Sequence, residues 1–207
     1  MDREIVNLSV IYSNNTTMNL YLKITLLFAV LFTSFATADQ VETAISQIRA
    51  DYNATENARL KTVVIKLPED AEVIELKKYF LNGALVKMVF TAGGDHGAST
   101  DSYYFKNGDL YFVYQSTGGW SFDSNGPEGT TIDTGGEQRI YYQGGRAIRH
   151  LVKKVSSRDG NQIIKLLGKA DNVIVSDPDP ANGLMNAGYR LANVNSQADL
   201  DRYIYAE

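Results

Sequence analysis

The chain holds two histidines and no cysteine, so the residues able to do chemistry are few. His96 lies in Gly93-Gly94-Asp95-His96-Gly97, where Asp95 could orient or charge the ring. The glycines around it predict a flexible loop between two hairpins. His150 falls inside a strand-like run and reads as a structural histidine in or near the core. A zinc site needs convergent His or Cys ligands, and none has that spacing here. Ser99, His96 and Asp101 would formally make a serine triad, but a triad is defined by geometry rather than closeness in sequence. No Gly-x-Ser-x-Gly elbow occurs. Asp123-Ser124-Asn125-Gly126-Pro127-Glu128 gathers oxygen ligands around a glycine but lacks EF-hand spacing, so an ordinary turn is expected. The Gly-Gly pairs are followed by no Walker lysine. Asp101/Asp109 and Asp177/Asp179 read as turn and linker carboxylates, because nothing fixes the separation a glycosidase needs. No reaction, cofactor or metal follows from these residues. What remains is binding chemistry, carried by aromatic rings and a few cations.

The elements that position those groups are legible from periodicity. Val41, Ala44, Ile45, Ile48 and Tyr52 recur at helical spacing and predict a helix from about Asp39 to Arg59. Lys61 to Leu67 is β-branched and stops at Pro68, which predicts a strand. Three segments then resemble one another. They are Tyr79-Phe80-Leu81-Asn82-Gly83-Ala84-Leu85, Tyr104-Phe105-Lys106-Asn107-Gly108-Asp109-Leu110 and Tyr141-Tyr142-Gln143-Gly144-Gly145-Arg146-Ala147. Asn-Gly and Gly-Gly supply the positive φ values of a type I′ turn. Three such hairpins predict an antiparallel meander, with Ser116 to Gly136 as a long mobile or functional loop carrying Trp120 and Phe122. Further on, Ser157-Arg158-Asp159 could cap a short helix over Gln162 to Leu167, and Val173 to Val175 could be a strand. Asp177-Pro178-Asp179-Pro180 reads as an extended link, and Gln197 to Ala206 as a terminal helix. The expected fold is α+β: an N-terminal helix packed on an antiparallel meander of about six to eight strands, with a mixed C-terminal tail.

Counting outward from two-residue turns pairs Phe80 with Leu85, Phe105 with Leu110 and Tyr142 with Ala147. Simple alternation then puts Lys78, Lys87, Val89, Tyr103, Phe112, Tyr114, Ile140, Arg149 and Leu151 on that same face. The opposite face receives Tyr79, Val86, Met88, Phe90, Tyr104, Tyr111, Val113, Tyr141, Ile148, His150 and Val152, and is the better candidate for burial under the N-terminal helix. The first face mixes aromatics with cations. Either the tail covers it and the cations snorkel to its edge, or Lys78, Lys87, Tyr103, Phe112, Tyr114 and Arg149, with Trp120, form a binding surface for a protein, peptide or glycan.

The chain resembles small exported bacterial proteins of unknown function with repeated Tyr-Phe-x-Asn-Gly-x-Leu hairpins, and its hairpins are similar to MORN-type repeats without their regular glycine spacing. The resemblance implies a curved antiparallel sheet and no catalytic residue. Met18 opens a second start. It is followed by Lys23, an apolar run to Phe35 and Ala36-Thr37-Ala38, the order of a secretory signal peptide. Residues 1–38 are therefore expected to be an upstream extension plus leader. Residues 39–207 are expected to form one exported domain, periplasmic or secreted, with no membrane span after cleavage. A net charge of −4 gives no support for nucleic-acid binding. A non-catalytic binding or interaction protein of the envelope or extracellular space is the leading expectation. An envelope-polymer hydrolase using His96 and nearby carboxylates, and a structural envelope protein pairing through a sheet edge, are the alternatives.

Overall fold

A computed structural model describes residues 38–68, 73–177 and 179–205. The expected start at Met18 and the expected leader, residues 1–38, lie outside the described residues except for Ala38, which is the first residue of the N-terminal helix. The chain falls into two compact units, Met1–Gln40 and Val41–Glu207. The first is described only at Ala38–Gln40, and the account below concerns the second.

Helix α1, Ala38–Glu56, turns the predicted stripe inward, with Ile45 and Ile48 buried. Its end is closed by Asn57, whose backbone and side-chain N–H groups both donate to the Asn53 carbonyl, at 3.1 and 2.8 Å. Eight strands follow: β1 Lys61–Lys66, β2 Val73–Leu81, β3 Ala84–Gly94, β4 Gly97–Lys106, β5 Asp109–Phe122, β6 Thr131–Gln143, β7 Arg146–Ser157 and β8 Val173–Ile174. They form one sheet in sequence order, each antiparallel to the next. Between β7 and β8 come a 3₁₀ turn, Gly160–Gln162, and helix α2, Ile163–Lys169. Asp159 caps the 3₁₀ turn by accepting from the Asn161 N–H. Helices α3, Asp179–Ala192, and α4, Gln197–Tyr205, complete the chain.

The three turns are as the residues dictate. Asn82, Gly83, Asn107, Gly108, Gly144 and Gly145 all have φ between 51° and 88°. Phe80 faces Leu85, Phe105 faces Leu110 and Tyr142 faces Ala147. Beyond the turns simple alternation fails. Each outgoing strand carries one residue more than its partner: Val86, Tyr111 and Ile148 are bulged, so that Tyr79 faces Lys87, Tyr104 faces Phe112 and Tyr141 faces Arg149. A one-residue slip moves every later side chain of that strand to the other face. Lys87, Phe112, Tyr114 and Arg149 therefore leave the face of Lys78 and Tyr103. Met88, Phe90, Val113 and His150 cross in the opposite direction.

The sheet consequently has two cores. On the α3–α4 face, Leu76, Met88, Tyr103, Phe105, Val113, Ile140 and Tyr142 pack with Ala181, Leu191 and Leu200. On the α1 face, Tyr104, Tyr111, Phe112 and Tyr141 pack with Ile45 and Ile48. Helix α2 sits on this face too, because a Cβ at Gly135 would lie 2.5 Å from Ile163 Cγ2. The C-terminal tail is thus a cover of its own, and the N-terminal helix does not bury the face of Met88 and Val113.

Two other expectations are corrected. Ser116 to Gly136 is mostly sheet: β5 and β6 pair as far as Phe122 and Thr131, and only residues 123–130 form a loop. The segment from Asp179 onward is helix rather than extended link. Pro180 falls in its first turn, where a missing N–H costs nothing, and Asp177 accepts from the Asp179 N–H at 3.0 Å.

Candidate functional site

Where α1 crosses β5 and β6, a groove of about 510 Å³ opens, with Ile48, Phe112 and Tyr141 beneath it and Arg49, Tyr52, Asn53, Tyr114 and Arg139 around it. The sequence makes it by simple geometry. Ile48 and Tyr52 are one helical turn apart on the inward stripe, and Arg49 and Asn53 follow them on the flank. Phe112 and Tyr114 alternate to the same face of β5, opposite Tyr141 and Arg139 of β6.

The rings meet at angles rather than in a flat platform. Tyr52 stands edge-on to Phe112, with centroids 5.6 Å apart and planes at 81°. Phe112 and Tyr141 are 5.1 Å apart at 44°. Two guanidinium groups lie over ring faces, Arg49 over Tyr141 at 5.9 Å and Arg139 over Tyr114 at 5.3 Å. Burial, reinforced by the nearby Glu137 carboxylate, pushes the Tyr114 phenol above its ordinary range, so it remains a neutral donor and acceptor.

The cations on this face differ in one respect. Lys87 engages Glu56 at 2.7 Å, Lys106 engages Asp51 at 2.8 Å and Arg149 engages Glu42 at 2.6 Å, three pairs that clamp α1 onto the sheet. Arg139 is held by Glu137 at 2.7 Å. Arg49 touches a ring and has no carboxylate among the described residues. Counted over the described residues, the groove therefore carries one uncompensated positive charge beside an aromatic wall.

The expected binding residues are thus divided. Phe112 and Tyr114 reach the groove. Lys87 and Arg149 share its face but are engaged by α1. Lys78 is on the other side of the sheet, 3% exposed, donating to the Ala192 carbonyl at 2.8 Å and to Asn195 Oδ1 at 3.2 Å. Tyr103 is wholly buried beneath α3. Trp120 is six residues beyond Tyr114 on β5, about 20 Å at strand spacing. Its indole N–H donates to the Asp95 carbonyl at 2.9 Å and its ring stacks on His96 at 4.4 Å, so it braces the β3–β4 turn expected to be flexible. Arg49, Tyr52, Asn53 and Arg139 were missed. Helical phase identifies the first three as neighbours, but only the bulge at Tyr111 brings Phe112 and Tyr114 round to meet them.

Sequence reasoning also missed a polar row within the α3–α4 face. Gln115 donates to Asp101 Oδ1 at 2.9 Å, Gln138 donates to Gln115 Oε1 at 2.8 Å, and His150 Nε2 lies 2.7 Å from Gln138 Oε1. Tyr103 donates to the other Asp101 oxygen at 3.3 Å. Because Gln138 offers its oxygen, His150 carries its proton on Nε2, and its buried Nδ1 has no partner among the described residues. Burial holds the imidazole below its ordinary range, against a smaller pull from Asp177. Burial raises the Asp101 carboxyl, against the donors from Gln115 and Tyr103. Asp101 is committed to this row and His96 to Trp120, so the two are not assembled with Ser99 as a triad. The Asp123 carboxylate accepts from Arg158 at 2.6 Å and from the Asn125 N–H. Among the described residues no cluster of His, Asp and Glu is arranged to hold a metal, and no helix is long and apolar enough to cross a membrane. No family model, curated protein or solved structure matches the chain.

Proposed function

We propose that this chain is an exported, non-catalytic binding protein whose ligand occupies the groove between α1 and the sheet. The observation that carries the reading is Arg49. It is the groove-lining cation left without a counter-charge among the described residues, and it stands beside rings that offer apolar contact. Such a site is preformed, because three ion pairs and a buried helical stripe fix α1 before any ligand arrives. The leader-like segment before Asp39, and the resemblance to small exported hairpin proteins, support the address. The test is a protein-observed NMR screen of mixed fragments, comprising sugars, small anions and short peptides. Binding at the proposed site shifts the signals of Arg49, Tyr52, Asn53 and Tyr114 and leaves Trp120 unmoved. Ligands that move Trp120 and Phe122 alone would transfer the function to the far end of the sheet.

A further inference from the structure

We infer that the groove takes a carboxylated sugar ring, an acidic glycan unit of the uronic-acid type. This rests on the groove being the ligand site. The first support is charge. Among the described residues the groove offers one free guanidinium, since Arg139 is already neutralised by Glu137. One uncompensated cation suits a monoanion, and a carboxylate matches a guanidinium fork with two parallel hydrogen bonds.

The second support is the absence of main-chain partners. Strands β5 and β6 are interior strands, each paired on both sides, and α1 satisfies its own backbone at the residues that face the groove. An extended peptide laid here would find no ladder to join, and its amides would lose water without replacement. A sugar needs none. Its hydroxyls exchange hydrogen bonds with side chains, here the Asn53 amide, the Tyr52 phenol and the Tyr114 oxygen, whose own proton goes to Glu137. Its C–H faces pack on rings, and the angled pair of Tyr52 and Phe112 cradles one ring rather than a flat run of many. The volume, about 510 Å³, is within the range of small-ligand sites. A polyanion such as nucleic acid would meet a single free cation here and a net charge of −4 overall.

The test is an NMR and calorimetric titration of the full chain with glucuronic-acid oligosaccharides. The comparison arms are their methyl esters, neutral glucose oligosaccharides of equal length, benzoate and inorganic phosphate. The acid oligosaccharide is expected to bind, with shifts at Arg49, Tyr52 and Tyr114. Methyl esterification or Arg49→Gln should each weaken it about tenfold or more, the range for a charge-assisted pair. Arg49→Lys, which keeps the charge and loses the fork, should fall between. Arg49 is exposed, so these variants should melt with the wild type, which separates a lost contact from a lost fold. If the neutral oligosaccharide binds as tightly, or Arg49→Gln changes nothing, the acidic class is wrong while the groove stands. If benzoate or phosphate binds as tightly as the uronate, the sugar is wrong. If no probe moves the groove signals, the inference is overturned, and the fragment screen decides separately whether the groove is a site at all.

Discussion

Helix α3 contains two glycines whose replacement by alanine should have opposite signs. Alanine is favoured over glycine inside a helix by about 0.8–1 kcal/mol. At Gly183 the new methyl group would meet nothing within 4 Å, so the full propensity gain should appear as stability. At Gly188 the methyl carbon would lie 2.6 Å from Tyr103 Cδ1 and 3.0 Å from Cε1. That ring is fully buried, and its hydroxyl is tied to Asp101. The ring cannot slide aside, so either α3 must lift from the sheet or the polar row must shift. Overpacking of this kind costs about 1–3 kcal/mol, which exceeds the gain. Gly188→Ala should therefore be destabilising, by up to about 2 kcal/mol, and Gly183→Ala stabilising by just under 1 kcal/mol. Urea unfolding followed by far-UV circular dichroism measures both. With a slope of about 2 kcal/mol/M, the midpoints should separate by roughly 1 M. If Gly188→Ala moves the midpoint upward as far as Gly183→Ala, the close approach of α3 to the sheet is refuted.

Stability should fall as the solution is made acidic through His150. Its folded pKa is lowered, so the unfolded chain takes the proton first; the contribution is complete above about pH 6.5 and is lost as pH drops below it, until the folded imidazole also protonates. His150→Gln should flatten that slope in denaturation curves taken between about pH 7.5 and 5, and an unchanged slope would assign it elsewhere. Gly108→Val should cost about 1 kcal/mol or more through backbone strain alone, because φ is +88° and the space around it is open; its thermal midpoint should drop with no change in near-UV spectrum. Lys78→Met should cost about 1–3 kcal/mol, by leaving the Ala192 carbonyl and the Asn195 amide oxygen without their buried donor, and the loss should show as faster amide exchange in α3. Mass spectrometry of exported protein should find a chain beginning at Asp39 or within a residue or two; a full-length chain still holding Leu26 would refute export by cleavage.

The hairpins were legible because Asn-Gly and Gly-Gly specify a backbone conformation that few other pairs reach. The strands entering each turn were placed on the correct faces for that reason. The strands leaving the turns were not, because Val86, Tyr111 and Ile148 are ordinary sheet residues and nothing in their chemistry announces a bulge. That single omission exchanged Phe112 with Val113 and Arg149 with His150, and with them the composition of the candidate site. Ser116 to Gly136 looked like loop because its glycines and hydroxyls are poor strand formers. Their pairing is imposed from outside, by neighbouring strands and by α2 resting on Gly135. Helix α3 was hidden by Pro180 and two glycines. Its stripe of Ala181, Leu184, Met185 and Leu191 is stabilised by burial rather than by propensity.

Each of the three Asn-Gly or Gly-Gly hairpins carries one residue more than its pairing requires, and this bears on how the chain tolerates changes of length. Deleting Val86 or Ile148 would leave a regular hairpin, with Tyr79 still opposite Lys87 and Tyr141 opposite Arg149; deleting Tyr111 would keep Tyr104 opposite Phe112 in the same way but would remove a ring from the α1 core. Every later side chain would keep its face. A deletion a few positions further along the same strand would instead turn the remainder of that strand over and exchange the linings of both cores. Residues 123–130 form a second permissive place, since they cross no paired position. Insertions and deletions in homologous chains should therefore gather at the bulges and in that loop, while the stretches between them keep a fixed length even where their residues change.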